Sequence, residues 1–227
     1  MYESDLSSEK KGVTMDASFW HRKWEKGDIG FYEKDTNVLL KRYLSKLNLN
    51  QGNRIFLPLC GKTRDIAWLL ANGYNIAGAE LSEIAVKDLF HDLGIVPEIF
   101  SIGSLVHYKA NGIDVFVGDI FDVNSELLGL VDAVYDRAAL VALPLRMREL
   151  YTSHLLKITN GAPQLLITYE YDQQLIEGPP FSISKEEVSD HYANEYTITN
   201  LERKEISGGL KGKVSSSETV WLLQGKM

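Results

Sequence analysis

Five places in the chain carry groups suited to holding a small ligand: Cys60-Gly61-Lys62, Glu80, Asp119-Ile120, Asp136-Arg137, and Glu170 with Asp172. Each ends a short apolar run. Ile55-Phe56-Leu57-Pro58-Leu59 leads into the first, Asn75–Ala79 into Glu80, Ile113–Val117 into Gly118-Asp119, Val131–Tyr135 into Asp136, and Gln164–Tyr169 into Glu170. A buried strand that ends in a glycine turn and enters a helix brings a ligand close to unpaired backbone N–H groups. A second strand, about twenty residues on, that ends in a carboxylate puts an acid within reach of ribose hydroxyls. The chemistry indicated is capture of a nucleoside-like cofactor.

The turn also limits which cofactor. A dinucleotide needs backbone room for a pyrophosphate, usually supplied by G-x-G-x-x-G. Leu59-Cys60-Gly61-Lys62-Thr63-Arg64 has one glycine, which disfavours NAD(P), FAD and a nicotinamide-dependent oxidoreductase. The phosphate-binding G-x-x-x-x-G-K-[ST] pattern lacks its upstream glycine. S-adenosylmethionine, with ribose and adenine but no phosphate, fits better. The Gly61 turn would receive its amino-acid end, Glu80 its ribose, and the Asp119-Ile120 loop would flank its adenine. Its sulfonium suits aromatic faces and acids.

The elements that must position these groups alternate. Helical patterns cover Arg64–Ala71, closed by Asn72-Gly73, then Ser82 to about Leu93, and about Pro144 to Lys157; Ser184–Glu187 reads as a capping box. Five strands alternating with helices, followed by β-rich runs at Tyr196–Arg203 and Glu218–Gln224, predict an α/β fold. We expect a doubly wound, Rossmann-like, mostly parallel seven-stranded sheet, helices on both faces and the last two runs as an antiparallel pair at one edge. Ahead of it, Asp16 or Ser18 would cap a short helix carrying Trp20 and Trp24 on one face, and a second helix spans about Thr36–Leu47. The first helix precedes the sheet instead of interleaving with it, as suits a lid. Residues 1–14 are polar and aperiodic and are expected to form a flexible tail before a single domain over 15–227.

Bulk properties exclude several classes. Net charge −7 with no dense Lys/Arg cluster argues against nucleic acid. No apolar stretch approaches membrane-spanning length, the N-terminus lacks the features of a secretory signal, and one cysteine fits a reducing compartment, so a cytoplasmic protein is expected. His21, His91, His107, His154 and His191 show no metal spacing, and no metal site is expected. Cys60 has no partner pattern of a nucleophile and reads as packing, and Lys62 as a solvated or capping lysine. Asp136 reads two ways, orienting Arg137 or handling an acceptor proton.

Several stretches together resemble the thiopurine S-methyltransferase family, within the class I S-adenosylmethionine-dependent methyltransferases. They are Phe19-Trp20-His21-Arg22-Lys23-Trp24 with Gly30-Phe31, Phe56–Lys62, Gly78–Ser82, Asp119–Asp122, Tyr135–Ala142 and Gly178-Pro179-Pro180-Phe181. The resemblance implies a bacterial-type member that methylates a small-molecule thiol, heterocyclic or aromatic, with selenium or tellurium compounds as further acceptors and detoxification as the setting. It implies that Trp20, Trp24 and Phe31 fold over the cofactor, with Phe31 also at the acceptor. It further implies that Leu59 contacts the cofactor at the first turn, Glu80 holds the ribose, Asp119 and Ile120 hold the adenine, and Arg137 serves both cofactor and acceptor. We expect a monomer. Other readings are a halide, metalloid oxyanion or amine acceptor on the same cofactor, and a non-catalytic cofactor-binding module.

Overall fold

The computed structural model describes residues 17–226; the expected 1–14 tail and the Asp16 cap lie outside them. Helix α1 (Ala17–Glu25) opens the described chain, with Ser18 inside it: its hydroxyl accepts from Arg22 Nη1 at 2.6 Å. Helix α2 (Val38–Tyr43) is capped by Asn37, whose Oδ1 accepts from Leu39 and Leu40 N, and it tightens into a 3₁₀ turn over Leu44–Leu47.

The remaining elements follow in order: β1 (Arg54–Pro58), α3 (Arg64–Ala71), β2 (Asn75–Glu80), α4 (Glu83–Leu93), β3 (Glu98–Ile102), β4 (Leu105–Ala110), β5 (Ile113–Val117), α5 (Ser125–Leu128), β6 (Ala133–Arg137), α6 (Leu145–Ile158), β7 (Gln164–Tyr171), α7 (Lys185–Tyr192), β8 (Tyr196–Glu205) and β9 (Ser216–Gly225). Ser82 caps α4 through a bond from Ala85 N, and Ser184 caps α7 through one from Glu187 N. The reciprocal half of that capping box is diverted, because the Glu187 carboxylate accepts from Arg148 Nε at 2.5 Å.

The strands form one sheet in the order β3-β4-β5-β2-β1-β6-β7-β9-β8. Its centre, β5-β2-β1-β6-β7, is parallel throughout, and an antiparallel pair flanks it on each side. Among the described residues the sheet therefore has nine strands where seven were expected. The addition is the β3–β4 hairpin, joined to β5 by a two-residue Asn111-Gly112 loop between the paired residues Ala110 and Ile113, with Gly112 at φ 77°. Asn-Gly is a strong short hairpin signal, and here Gly112 takes the positive φ while Asn111 does not. Edge strand β3 is exposed almost throughout, Ile99 and Phe100 included, so it lacks the one-sided burial pattern by which strands are read.

Burial of the central strands follows the two-residue period. Ile55, Leu57, Ile76, Tyr135, Leu165 and Ile167 pack toward α2, α3 and α4; Phe56, Ala77, Val134 and Leu166 pack toward α5, α6 and α7. Strand order changes direction between β1 and β6, the switch point outside which doubly wound sheets bind ligands. Two residues there carry unusual backbones for non-glycines: Leu59 after β1 at φ 47° and Ala138 after β6 at φ 63°. Such strain gathers at functional sites.

Candidate active site

The carboxyl ends of β1 and β2 are tied by Glu80. One carboxylate oxygen accepts from Gly61 N at 2.8 Å, and the other from Ser82 N at 2.9 Å. The side chain is buried, and burial raises its pKa while the Ser82, Gly61 and Leu81 N–H groups pull the other way. A carboxylate has about four lone-pair sites, so the bonds from Gly61 and Ser82 do not exhaust its capacity for further donors. That residual capacity is what a ribose diol would take up.

The turn itself is close-packed. Gly61 sits at φ 52°, and a Cβ there would lie 3.1 Å from the Trp24 indole, so α1 rests directly on the turn. Cys60 is buried, its N bonded to Ala79 O and its sulfur against Gly78; burial pushes its thiol well above the ordinary cysteine range. It is a packing residue, as its surroundings in sequence indicated. Lys62 pairs with Asp88 of α4 at 2.8 Å and lies 5.5 Å over the Tyr32 ring, which makes it a tether between the α1–α2 loop and the sheet.

The β5 end lies beside Glu80, because Gly118 N donates to Glu80 O at 2.9 Å. Asp119, exposed, caps a 3₁₀ turn by accepting from Phe121 N. Ile120 is buried, with its carbonyl 2.9 Å from His154 Nε2. Over the β1 side, Phe31 meets Trp20 and Trp24 edge-on, centroids 5.8 and 5.6 Å apart. Trp20, Trp24, Phe31, Leu59, Gly61, Glu80, Asp119, Ile120 and Arg137 thus all belong to one edge of the sheet or to the α1 segment covering it.

Asp136 and Arg137 part company. Asp136 is fully buried on the α6 side, where its two oxygens accept from Tyr151 OH at 2.6 Å and Leu140 N at 3.1 Å. Orienting Arg137, one of its two expected roles, falls instead to Glu33, which forms an ion pair with the guanidinium. Strand alternation is the reason: neighbouring side chains leave opposite faces of a sheet. Burial raises the Asp136 pKa to about 6, against 3.8 ordinarily, and Tyr151 and the Leu140 and Ala139 N–H groups limit the rise. A carboxyl held above its unfolded pKa contributes stability in full below about pH 4 and loses it as pH rises through about 6. Asp136→Asn should flatten this dependence by roughly 2–3 kcal/mol between pH 4 and 8. Urea unfolding across that range checks it; equal slopes in the two proteins would show that Asp136 is not the group responsible.

Arg137 is flanked by residues that the sequence did not flag: Glu33, Tyr169, and Glu218, which lies opposite Tyr169 in the β7–β9 register. Burial opposes its charge, but these and the nearby Tyr135 and Asp65 keep its pKa raised. Its Nε is buried without a partner. Asn37 extends the network: its Nδ2 donates to Glu33 at 3.2 Å and its N to Asp65, which also accepts from Tyr135 OH. By contrast, Glu170 pairs with Arg203 of β8 and Asp172 accepts from Gln174 N, so that strand end is committed to the sheet edge and a turn. An open hollow of about 620 Å³ lies at the other end of the strands, around Arg54, Asn75 and Asp114, away from all of these groups. Shallow geometry alone therefore does not mark the site. No cluster of metal-ligating side chains occurs among the described residues.

The family model described as thiopurine S-methyltransferase matches residues 15–226. The chain belongs to that family. A thiopurine S-methyltransferase of Xanthobacter autotrophicus is 49% identical over 211 residues, covering 92% of this chain and 99% of that protein. One from Acinetobacter baylyi is 43% identical over 216 residues, covering 93% and 100%. Among solved structures, an S-adenosylmethionine-dependent methyltransferase of Anabaena variabilis superposes with TM-score 0.61 at 12% identity, over 94% of this chain and 97% of that one. The 1,6-didemethyltoxoflavin-N1-methyltransferase of Burkholderia thailandensis, solved with S-adenosylhomocysteine, gives 0.59 at 14% identity, over 92% and 87%. These last two share the fold. The present thiopurine S-methyltransferase family member is an S-adenosylmethionine-dependent methyltransferase.

Proposed function

We propose that this enzyme methylates the sulfur of heterocyclic or aromatic, thiopurine-like thiols, with selenium and tellurium compounds as further acceptors, in detoxification. The observation that carries this is the buried Arg137 guanidinium with an unpaired Nε, on the same edge as the Phe31, Trp20 and Trp24 rings. A planar, anionic acceptor would meet an aromatic wall and a buried positive charge there. The names of the curated relatives support the same acceptor class.

Bound S-adenosylmethionine supplies an electrophilic methyl group on a sulfonium. Gly61 and Leu59 would hold its amino-acid end, Glu80 its ribose hydroxyls, and Asp119 with Ile120 its adenine. Trp20, Trp24 and Phe31 act as a lid that excludes water, and Arg137 orients the acceptor for in-line attack. Asp136, enclosed by Tyr151 and Leu140, is not placed to take the acceptor's proton. Thiols that are already ionised near neutral pH are therefore the favoured acceptors. We place the enzyme in the cytoplasm as a monomer, one domain over 15–227.

The test is transfer of a labelled methyl group to a panel of heterocyclic and aromatic thiols, with halides, metalloid oxyanions and amines alongside. Turnover highest on the low-pKa thiols is expected. Transfer confined to another acceptor class, or binding of S-adenosylhomocysteine with no transfer to any thiol, would overturn the proposal.

A further inference from the structure

The Glu33–Arg137 pair joins two side chains of very different exposure. Arg137 is 9% exposed and Glu33 is 42% exposed. Glu33 lies between α1 and α2, two residues after Phe31, and so reaches the guanidinium from the side of the aromatic rings. The other charged and titratable groups facing Arg137 are held by their own partners. Tyr135 and Asp65 bond to each other, Asp65 also accepts from Asn37 N, and Tyr169 lies opposite Glu218 across β7 and β9. Glu33 also accepts from Asn37 Nδ2 at 3.2 Å, but it alone among these groups combines direct ion-pair contact with Arg137 and access to water.

We propose that Glu33 is a displaceable internal carboxylate that occupies Arg137 until the anionic group of an acceptor replaces it, and that it thereby sets the charge preference of the acceptor site. The inference rests on Arg137 being the acceptor-binding group. The exchange swaps one carboxylate–guanidinium pair for another, leaves Arg137 neutralised throughout, and leaves Glu33 to water and Asn37 Nδ2. The unpaired Nε supplies a donor that Glu33 leaves unused and an incoming anion can take, which favours the exchange in that direction. A neutral planar molecule gains nothing by displacing Glu33. Glu33 therefore works against anions and is indifferent to neutral rings.

Benzoate and benzamide are matched, unreactive probes for this. Their binding to the full-length enzyme saturated with S-adenosylhomocysteine is measured by calorimetry at fixed ionic strength. Glu33→Gln, which keeps the side-chain length and removes the charge, should tighten benzoate about 10-fold relative to benzamide. Glu33→Ala should shift the ratio in the same direction. A benzoate-to-benzamide ratio unchanged by both variants, or no measurable benzoate binding to Glu33→Gln, overturns the proposal. Arg137→Gln separates the two layers. If it leaves benzoate binding intact, the assignment of Arg137 to the acceptor fails; if it abolishes binding while both Glu33 variants change nothing, only the role of Glu33 fails.

Discussion

Glu80→Ala should weaken S-adenosylhomocysteine binding by about 100-fold or more. Two hydroxyl donors on an ionised carboxylate contribute about 1.5–3 kcal/mol each, and about 2.8 kcal/mol already corresponds to two decades of affinity. The same change strips Gly61 N and Ser82 N of their acceptor inside a buried turn. Loss of fold stability therefore accompanies loss of binding, and unfolding by urea without ligand must be measured beside calorimetry. Glu80→Gln helps to divide them. It keeps the volume and one acceptor, but sets an NH₂ group against a backbone N–H, so an intermediate result is expected in both assays. Unchanged affinity in Glu80→Ala would refute the ribose assignment outright.

Arg137→Ala should lower kcat/KM for an aromatic thiol by about 100-fold, the effect expected for loss of a charge-assisted contact to an anionic acceptor. It also leaves Glu33 without its guanidinium, and with it a link between the α1–α2 loop and the end of β6. A modest rise in KM for the cofactor should follow, smaller than the acceptor effect. Steady-state kinetics with each substrate varied in turn gives both numbers. Equal turnover by wild type and Arg137→Ala would remove Arg137 from the reaction.

The alternation of strands and helices through Tyr171 was legible because each buried strand is a short apolar run and several helix starts carry a capping side chain, α6 behind Pro144 being an exception. Ser82 and Ser184 cap as their positions suggest, and Thr63 caps α3 as well. The β3–β4 hairpin was missed for a local reason and a global one. Asn111-Gly112 is a turn signal in plain view between β4 and β5, but β3, joined to β4 through Gly103-Ser104, is exposed and has no amphipathic pattern to read. The Glu80–Gly61 bond spans nineteen residues within one strand–helix–strand unit, and the order of those elements implies it. The Glu33–Arg137 pair has no such frame: Glu33 lies in an aperiodic stretch of mixed charge, and only the folded path of the N-terminal segment brings it to β6. The placing of Asp136 was within reach of the sequence. Arg137 follows it directly in a strand, so the two could not share a face.

The antiparallel course of β9 has a practical consequence for attaching this protein to anything else. Ser216 pairs with Tyr171 at the carboxyl end of β7, and Leu223 with Gln164 at its amino end, so the chain leaves the sheet on the side away from Glu80 and Arg137. Helix α1, at the other terminus of the described chain, rests on Gly61 itself. A fusion partner, affinity handle or surface linkage joined after Gly225 hangs from the back of the enzyme. The same addition ahead of α1 hangs from the element that covers its working edge.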